Sequence, residues 1–410
     1  MNPRPLTAEP WFRLSALSGV YLVWGAIASL NDLLIPYLKD EYRLDFSGAL
    51  RIQLVFYAAY FFLSIPCGLL ARRYGFRNGI LTGLTVAIIG CLLMLVASQA
   101  GSYGVVLGAI FVLAAGITML QVSANPFATS LGPERTAPSR LTLVQSFHSL
   151  GTTVGPTLGA ILIFSLGAAA AGGWAGATPG AAIWRPYAVL AVVLTGLLLL
   201  FLRIGSDREP GTTAPARFEL LPLFRANRRL LPGTLGIFCY VGAEIAIASL
   251  LVNFLVRPEI TGVGYATAGK LVSVYWGLAL VGRFVGVVLL RRFRPDRLLS
   301  TYAVAAVLLA GLAIASGGWL AAGALLLIGF FNSIMFPTLF ALALNCSPPA
   351  DRAGASGVLC LGIVGGAIVS QAQGMLADHA GIQWSFVLPL LCYVYIAALA
   401  ATQFKSLPEH

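Results

Sequence analysis

The chain has 410 residues, 58% of them hydrophobic and only 10% charged, with a mean hydropathy of +0.87 and a formal charge of +11. A soluble domain carries about 25% charged residues to cover its surface. This chain does not, which excludes an ordinary cytosolic enzyme and a disordered chain; continuous apolar stretches, rather than alternating segments, exclude a transmembrane β-barrel.

A spanning helix needs ~20 mostly apolar residues. In chain order, spans are predicted near 14–37, 50–71, 78–98, 104–128, 140–166, 184–204, 232–256, 267–290, 298–316, 320–344, 354–376 and 384–404. The fold class is therefore an all-α membrane protein of twelve transmembrane helices in two pseudo-symmetric six-helix bundles. The first apolar stretch is too long for a cleavable signal peptide and runs into Asn31 and Asp32 without a small-residue cleavage site. The longest polar stretch, 205–229, holds Asp207, Glu209, Pro210, Pro215 and five arginines, and reads as a cytoplasmic linker. The expected organisation is an N-terminal bundle over 1–204, the linker over 205–229 and a C-terminal bundle over 230–410.

A weak internal repeat supports the division. Gly68-Leu-Leu-Ala-Arg72-Arg73 ends span two, and Gly286-Val-Val-Leu-Leu-Arg291-Arg292 ends span eight. Gly116 and Gly329 lie within spans four and ten; each is followed by a buried proline (Pro126, Pro337), an arginine loop (Arg140, Arg352) and a glycine-rich span. The landmarks recur at an offset of about 213 residues, close to half the chain, as in transporters built from two repeats. Gly151, Gly155, Gly362, Gly365 and Gly366 are expected where the two halves touch, as tight static packing or as a moving seam.

The positive charge is an orientation signal. With both termini inside, 19 of the 26 Lys and Arg lie on the inner side and six outside, leaving Arg283 within a span. That places the protein in the cytoplasmic (inner) membrane with both termini in the cytoplasm, and argues against nucleic acid as a partner. The six cysteines form no CxxC pair, so neither a zinc site nor a disulfide framework is expected. There is no HExxH, no catalytic carboxylate pair and no phosphate loop. An enzyme is not expected, no cofactor is called for, and a monomer in the lipid bilayer is the expected state.

Charge in a spanning helix costs about +2.5 to +3.5 kcal/mol per residue at the helix centre, so the few intramembrane charges are informative. Asp32 lies in span one beside Asn31, Glu244 in span seven and Arg283 in span eight. Asp32 serves a cavity or is solvated at the external mouth; Glu244 serves a function or pairs with a neighbouring helix. Span four carries Gln121 and Asn125 on one helical face, and Pro126 frees a backbone carbonyl one turn back, near Val122. Further neutral amides are Gln145, Asn332, Gln371 and Gln373, with His148 beside them in span five. Amides both donate and accept, as a sugar hydroxyl does. Tyr57, Tyr60, Tyr275 and Trp276 offer rings to stack on a pyranose. Any one of these is also readable as an interhelical hydrogen bond or as packing; the set, rich in amides and poor in cations, fits a small neutral sugar.

Three stretches carry a family resemblance: Asn31-Asp32-Leu-Leu-Ile-Pro36, Leu120-Gln121-Val-Ser-Ala-Asn125-Pro126, and Arg140-Leu-Thr-Leu-Val-Gln145-Ser-Phe-His148-Ser-Leu-Gly151. They resemble the fucose permease family of the major facilitator superfamily. Gln121, where the fucose permeases carry a glutamate, and Tyr240-Val-Gly-Ala-Glu244 through Asn253 resemble its glucose/galactose branch. His148 departs from an asparagine common in the family, and Asp32 is a fucose-permease feature. The resemblance implies a cation-coupled hexose importer, its halves rocking in alternating access. Gln145, His148, Asn253, Asn332 and Gln371 would hold the sugar, with Trp276, Tyr275 and Tyr57 as aromatic surfaces. Asp32, Asn31, Gln121 and Asn125 would form the coupling site. With Gln121 unable to titrate, Na⁺ at Asp32, Gln121 and Asn125 is expected over H⁺. The alternatives are a proton-coupled symporter, a passive facilitator and, more remotely, a multidrug exporter of the same fold.

Overall fold

A computed structural model describes residues 9–44, 46–160, 184–204, 223–225 and 227–404, and the side chains among them except 31–37, 39–41, 46–50, 156, 157, 159, 160 and 266. The first half comprises α1 (Pro10–Glu41), α2 (Phe46–Tyr74), α3 (Phe76–Ala100), α4 (Tyr103–Ser130), α5 (Ala137–Ala160) and α6 (Trp184–Arg203). The second comprises α7 (Leu230–Leu255), α8 (Tyr265–Arg292), α9 (Pro295–Ala315), α10 (Gly318–Asn332), α11 (Met335–Asn345), α12 (Arg352–Leu361), α13 (Gly365–Ala380), α14 (Ile382–Ser385) and α15 (Val387–Thr402). Among the described residues, 11 helical stretches are long and apolar enough to cross a membrane; the expected span at 140–166 lies partly outside them, and so does most of the expected linker.

Lipid offers no hydrogen bonds, so each span satisfies its backbone internally, and breaks occur only where sequence forces them. The proline ring of Pro337 excludes a helical bond to the carbonyl four residues back, and there, at Ser333 and Ile334, the tenth span breaks into α10 and α11. The expected span at 320–344 is borne out as one apolar stretch, Gly318–Asn345, with this break inside it. In the next span, Gly362–Val364 tightens into a 3₁₀ turn between α12 and α13. By contrast, α4 runs through Pro126 without a break, and Val122, where a freed carbonyl was expected, is not without a partner.

Helix ends follow local chemistry. Pro295 opens α9 with Asp296 in the first turn, where a carboxylate suits the helix dipole, and Arg294 grips that carboxylate at 3.0 Å. Arg77 of α3 donates to the carbonyls of Phe201 (3.1 Å) and Leu202 (3.0 Å), satisfying acceptors left over at the end of α6.

The described residues group into two compact units: one built on residues up to Leu131 together with Phe147 onward through α6, the other on Gly132–Ser146 together with α7 through α15. The short stretch Gly132–Ser146 therefore belongs to the second unit. The internal repeat reappears as packing inside each unit. In the first, α2 and α3 pack on α4, and α3 on α6; in the second, α8 and α9 pack on α10, and α9 on α15. The most buried spans are those containing α10–α11 (83%), α1 and α12–α13 (72% each) and α4 (67%), whereas α6 and α9 are 33% buried and turn apolar side chains such as Val192 and Leu308 outward.

Four of the expected glycines pack against a helix of their own unit. A side chain on Gly151 would come within 3 Å of the Leu22 carbonyl, and one on Gly155 within 3 Å of Ala26, both on α1. In the second unit, Gly362 and Gly365 meet the Thr234 and Phe238 carbonyls of α7 in the same way. These four glycines let two backbones of one unit touch.

Candidate functional site

The first unit carries a neutral cluster. Gln121 and Asn125 lie one turn apart on α4 and are both buried. The Tyr60 hydroxyl of α2 donates to Gln121 Oε1 at 2.8 Å, and the Tyr21 hydroxyl of α1 donates to Asn125 Oδ1. Both amide oxygens are thus engaged by tyrosines, while the buried Asn125 Nδ2 has no partner. One turn along α1 from Tyr21, Trp24 stands edge-on to the half-buried His148 ring of α5, centroids 4.9 Å apart. Tyr57 is half-buried on α2. The side chains of Asn31 and Asp32 lie outside the described residues, so the expected coupling site is seen only through Gln121 and Asn125.

The second unit carries a cluster with charge in it. On α7, the Tyr240 hydroxyl donates to Glu244 Oε1 at 2.7 Å, an i, i+4 pair that is almost wholly buried. Arg283 of α8 is also buried. Its Nη1 donates to the main-chain carbonyl of Gln145 on α5 at 3.0 Å. Two turns back on α8, the Tyr275 hydroxyl accepts from Asn332 Nδ2 of α10 at 2.9 Å, and Tyr275 packs edge-on to Trp276 at 5.3 Å. Tyr393 of α15 completes the group beside Asn332 and Tyr275. Asn332 Oδ1 is fully buried and accepts no hydrogen bond.

The structure therefore gathers Gln121, Asn125 and His148 with tyrosines in one unit, and Tyr275, Trp276, Asn332, Glu244 and Arg283 in the other. Gln145 is buried in the second unit, held through its carbonyl. Asn253 and Gln371 are exposed on α7 and α13, outside the hydrogen-bonded cluster; the buried amide of α13 is Gln373, 3.3 Å from Ser385. The sequence reading missed Tyr21, Trp24 and Tyr393 altogether. The Tyr240–Glu244 pair was legible from its spacing; Tyr393 carried no local signal, because it meets Asn332 only across the bundle.

Repeated helical packing, apolar outer faces and buried amides with few charges define a multi-pass membrane transporter rather than a catalytic domain. A family model described as Major Facilitator Superfamily matches residues 17–371, and the chain belongs to that family. It is 43% identical over 399 residues to a glucose/galactose transporter of Brucella abortus, covering 96% of this chain and 95% of the relative. It is 38% identical to a putative glucose/galactose transporter of Helicobacter pylori, covering 96% and 97%. Among solved structures, the E. coli fucose:proton symporter superposes with a TM-score of 0.85 at 29% identity, covering 98% of this chain and 100% of that one. These are the branch and the family that the sequence motifs pointed to.

Proposed function

We propose that this protein is a hexose importer of the glucose/galactose type, driven by symport with a cation and exposing its sugar alternately to the two sides of the inner membrane, both termini lying in the cytoplasm. One observation carries the reading: each unit buries an asparagine that is half satisfied, with a spare donor at Asn125 Nδ2 and a spare acceptor at Asn332 Oδ1. A buried polar atom without a partner costs about 1–3 kcal/mol. A sugar hydroxyl, donor and acceptor at once, relieves either deficit. A drug cation would relieve only one, and the surrounding amides would serve it poorly.

For the coupling ion, we favour H⁺ over the Na⁺ expected from sequence. The Gln121 and Asn125 oxygens each spend one of their two lone pairs on a tyrosine proton, which leaves fewer for Na⁺. A buried carboxylate at Glu244 supplies a titratable group, and one relative is by name a fucose:proton symporter. The test is uptake by the purified protein in liposomes. Glucose or galactose should exchange across the membrane and accumulate under an inward pH gradient. No exchange of any hexose would overturn the sugar reading; exchange without accumulation under any cation gradient would make the protein a facilitator.

A further inference from the structure

We propose that the α8–α9 turn binds an anionic phospholipid, its phosphate held by Arg292 and Arg297 and its acyl chains laid along the outward faces of α8 and α9. This goes beyond the transport reading and does not rest on it; the orientation proposed above only makes the leaflet the cytoplasmic one.

Two apolar stripes meet at this turn. On α8, Val281, Val285 and Val288 are exposed at helical spacing, and the next position on that face is Arg292. On α9, the exposed face opens at Arg297 and continues through Val304 and Leu308. Both helices pack on α10 and scarcely on each other, so these faces are left to lipid. One span ends at Arg292 and the next begins at Pro295, which sets the turn at headgroup depth. Phe293, inside the turn, is 58% exposed, an aromatic ring where membrane meets water.

The charge of the turn is not used up within the protein. Its acid, Asp296, is buried and taken by Arg294 at 3.0 Å. Arg291 reaches Ser139 Oγ at 3.4 Å. Arg292 and Arg297 are exposed, and neither side chain makes a hydrogen bond or ion pair among the described residues. The α2–α3 turn of the first unit spends its arginines differently. Arg77 is taken by the carbonyls at the end of α6, and Arg73 lies over the Tyr74 ring, 5.3 Å from its centroid. Orientation asks only that cations lie in a loop. Two unpaired guanidiniums at the foot of two apolar stripes ask for a ligand that is anionic at one end and apolar along its length. A guanidinium donates in pairs to phosphate oxygens, and the acyl chains of a phospholipid cover the stripes. Free phosphate offers the charge alone.

The experiment titrates full-length protein in a neutral detergent with phosphatidylglycerol or phosphatidylcholine and reads the bound lipid by native mass spectrometry. Phosphatidylglycerol should be held more tightly than phosphatidylcholine. Arg292→Gln and Arg297→Gln should each weaken it about fivefold, and the two together about thirtyfold. Arg292→Lys combined with Arg297→Lys should lose less than the glutamine pair, which separates lost charge from a lost fold. Arg203→Gln, at the exposed end of α6, should leave binding unchanged. Inorganic phosphate should not displace the lipid. Equal binding of the two lipids, undiminished binding in the glutamine pair, no recovery in the lysine pair, an equal loss in Arg203→Gln, or displacement by inorganic phosphate overturns the proposal.

Discussion

The two units share one packing scheme and differ in the chemistry they bury. In each, the first helix meets a glycine pair, at Gly151 and Gly155 against α1 and at Gly362 and Gly365 against α7. Yet the first unit buries tyrosine–amide pairs without a described charge, and the second buries Glu244 and Arg283 beside its tyrosines and Asn332. Backbone contact tolerates no variation, so duplication is still visible there. The polar interior restricts residue type less tightly, so there the two described clusters differ, one of neutral tyrosines and amides and one that includes charge.

The largest break in this comparison comes from the shared part. Gly151→Val and Gly365→Val should each cost more than ~3 kcal/mol or prevent folding, because the new side chain meets backbone that cannot rotate away. Gly108→Ala, with nothing within 4 Å, should be neutral or slightly stabilising. Yield and thermal unfolding in detergent check both. Next come the half-satisfied asparagines. Asn125→Ala and Asn332→Ala should each weaken hexose binding by about 1–3 kcal/mol, roughly 5- to 150-fold, in an equilibrium binding assay.

A smaller effect separates the units by pairing alone. Tyr60→Phe strips the donor from Gln121 Oε1 and should lower stability by about 1 kcal/mol, seen as a lower melting temperature. The smallest effect lies outside the membrane. Glu259, in the α7–α8 loop, is held below the usual carboxylate range by a backbone hydrogen bond and by Arg257 at 2.5 Å. A depressed carboxyl stabilises the fold at neutral pH and ceases to do so as pH falls through its folded pKa. Glu259→Gln should therefore shift the melting temperature little at neutral pH, and less still in acid. A larger loss in acid would contradict that sign.

Much of the fold was legible as periodless apolar runs of spanning length, since the bilayer demands ~20 apolar residues whatever the neighbours are. The repeat was legible in its glycines and prolines, because close approach and a missing N–H restrict residue type locally. What those glycines touch was not. Sequence suggested a seam where the halves meet, but the contacts lie within each unit, and only the path of α1 and α7 decides that. The candidate site was half legible. Polar residues stand out against apolar spans, so Gln121, Asn125, Glu244, Arg283 and Asn332 could be named from the chain alone.

Which partner each polar group takes depends on which helices are neighbours. The engagement of Gln121 and Asn125 by Tyr60 and Tyr21, which weakens the sodium reading, joins α2 and α1 to α4. The link from Arg283 to the Gln145 carbonyl joins α8 to α5 across 138 residues. The sequence by itself determined that this is a twelve-span membrane transporter with a handful of costly polar groups, because burial in lipid penalises each residue one at a time. Only the tertiary structure decided which of those groups are already satisfied and which still seek a ligand, because hydrogen bonding is a property of pairs brought together by the fold.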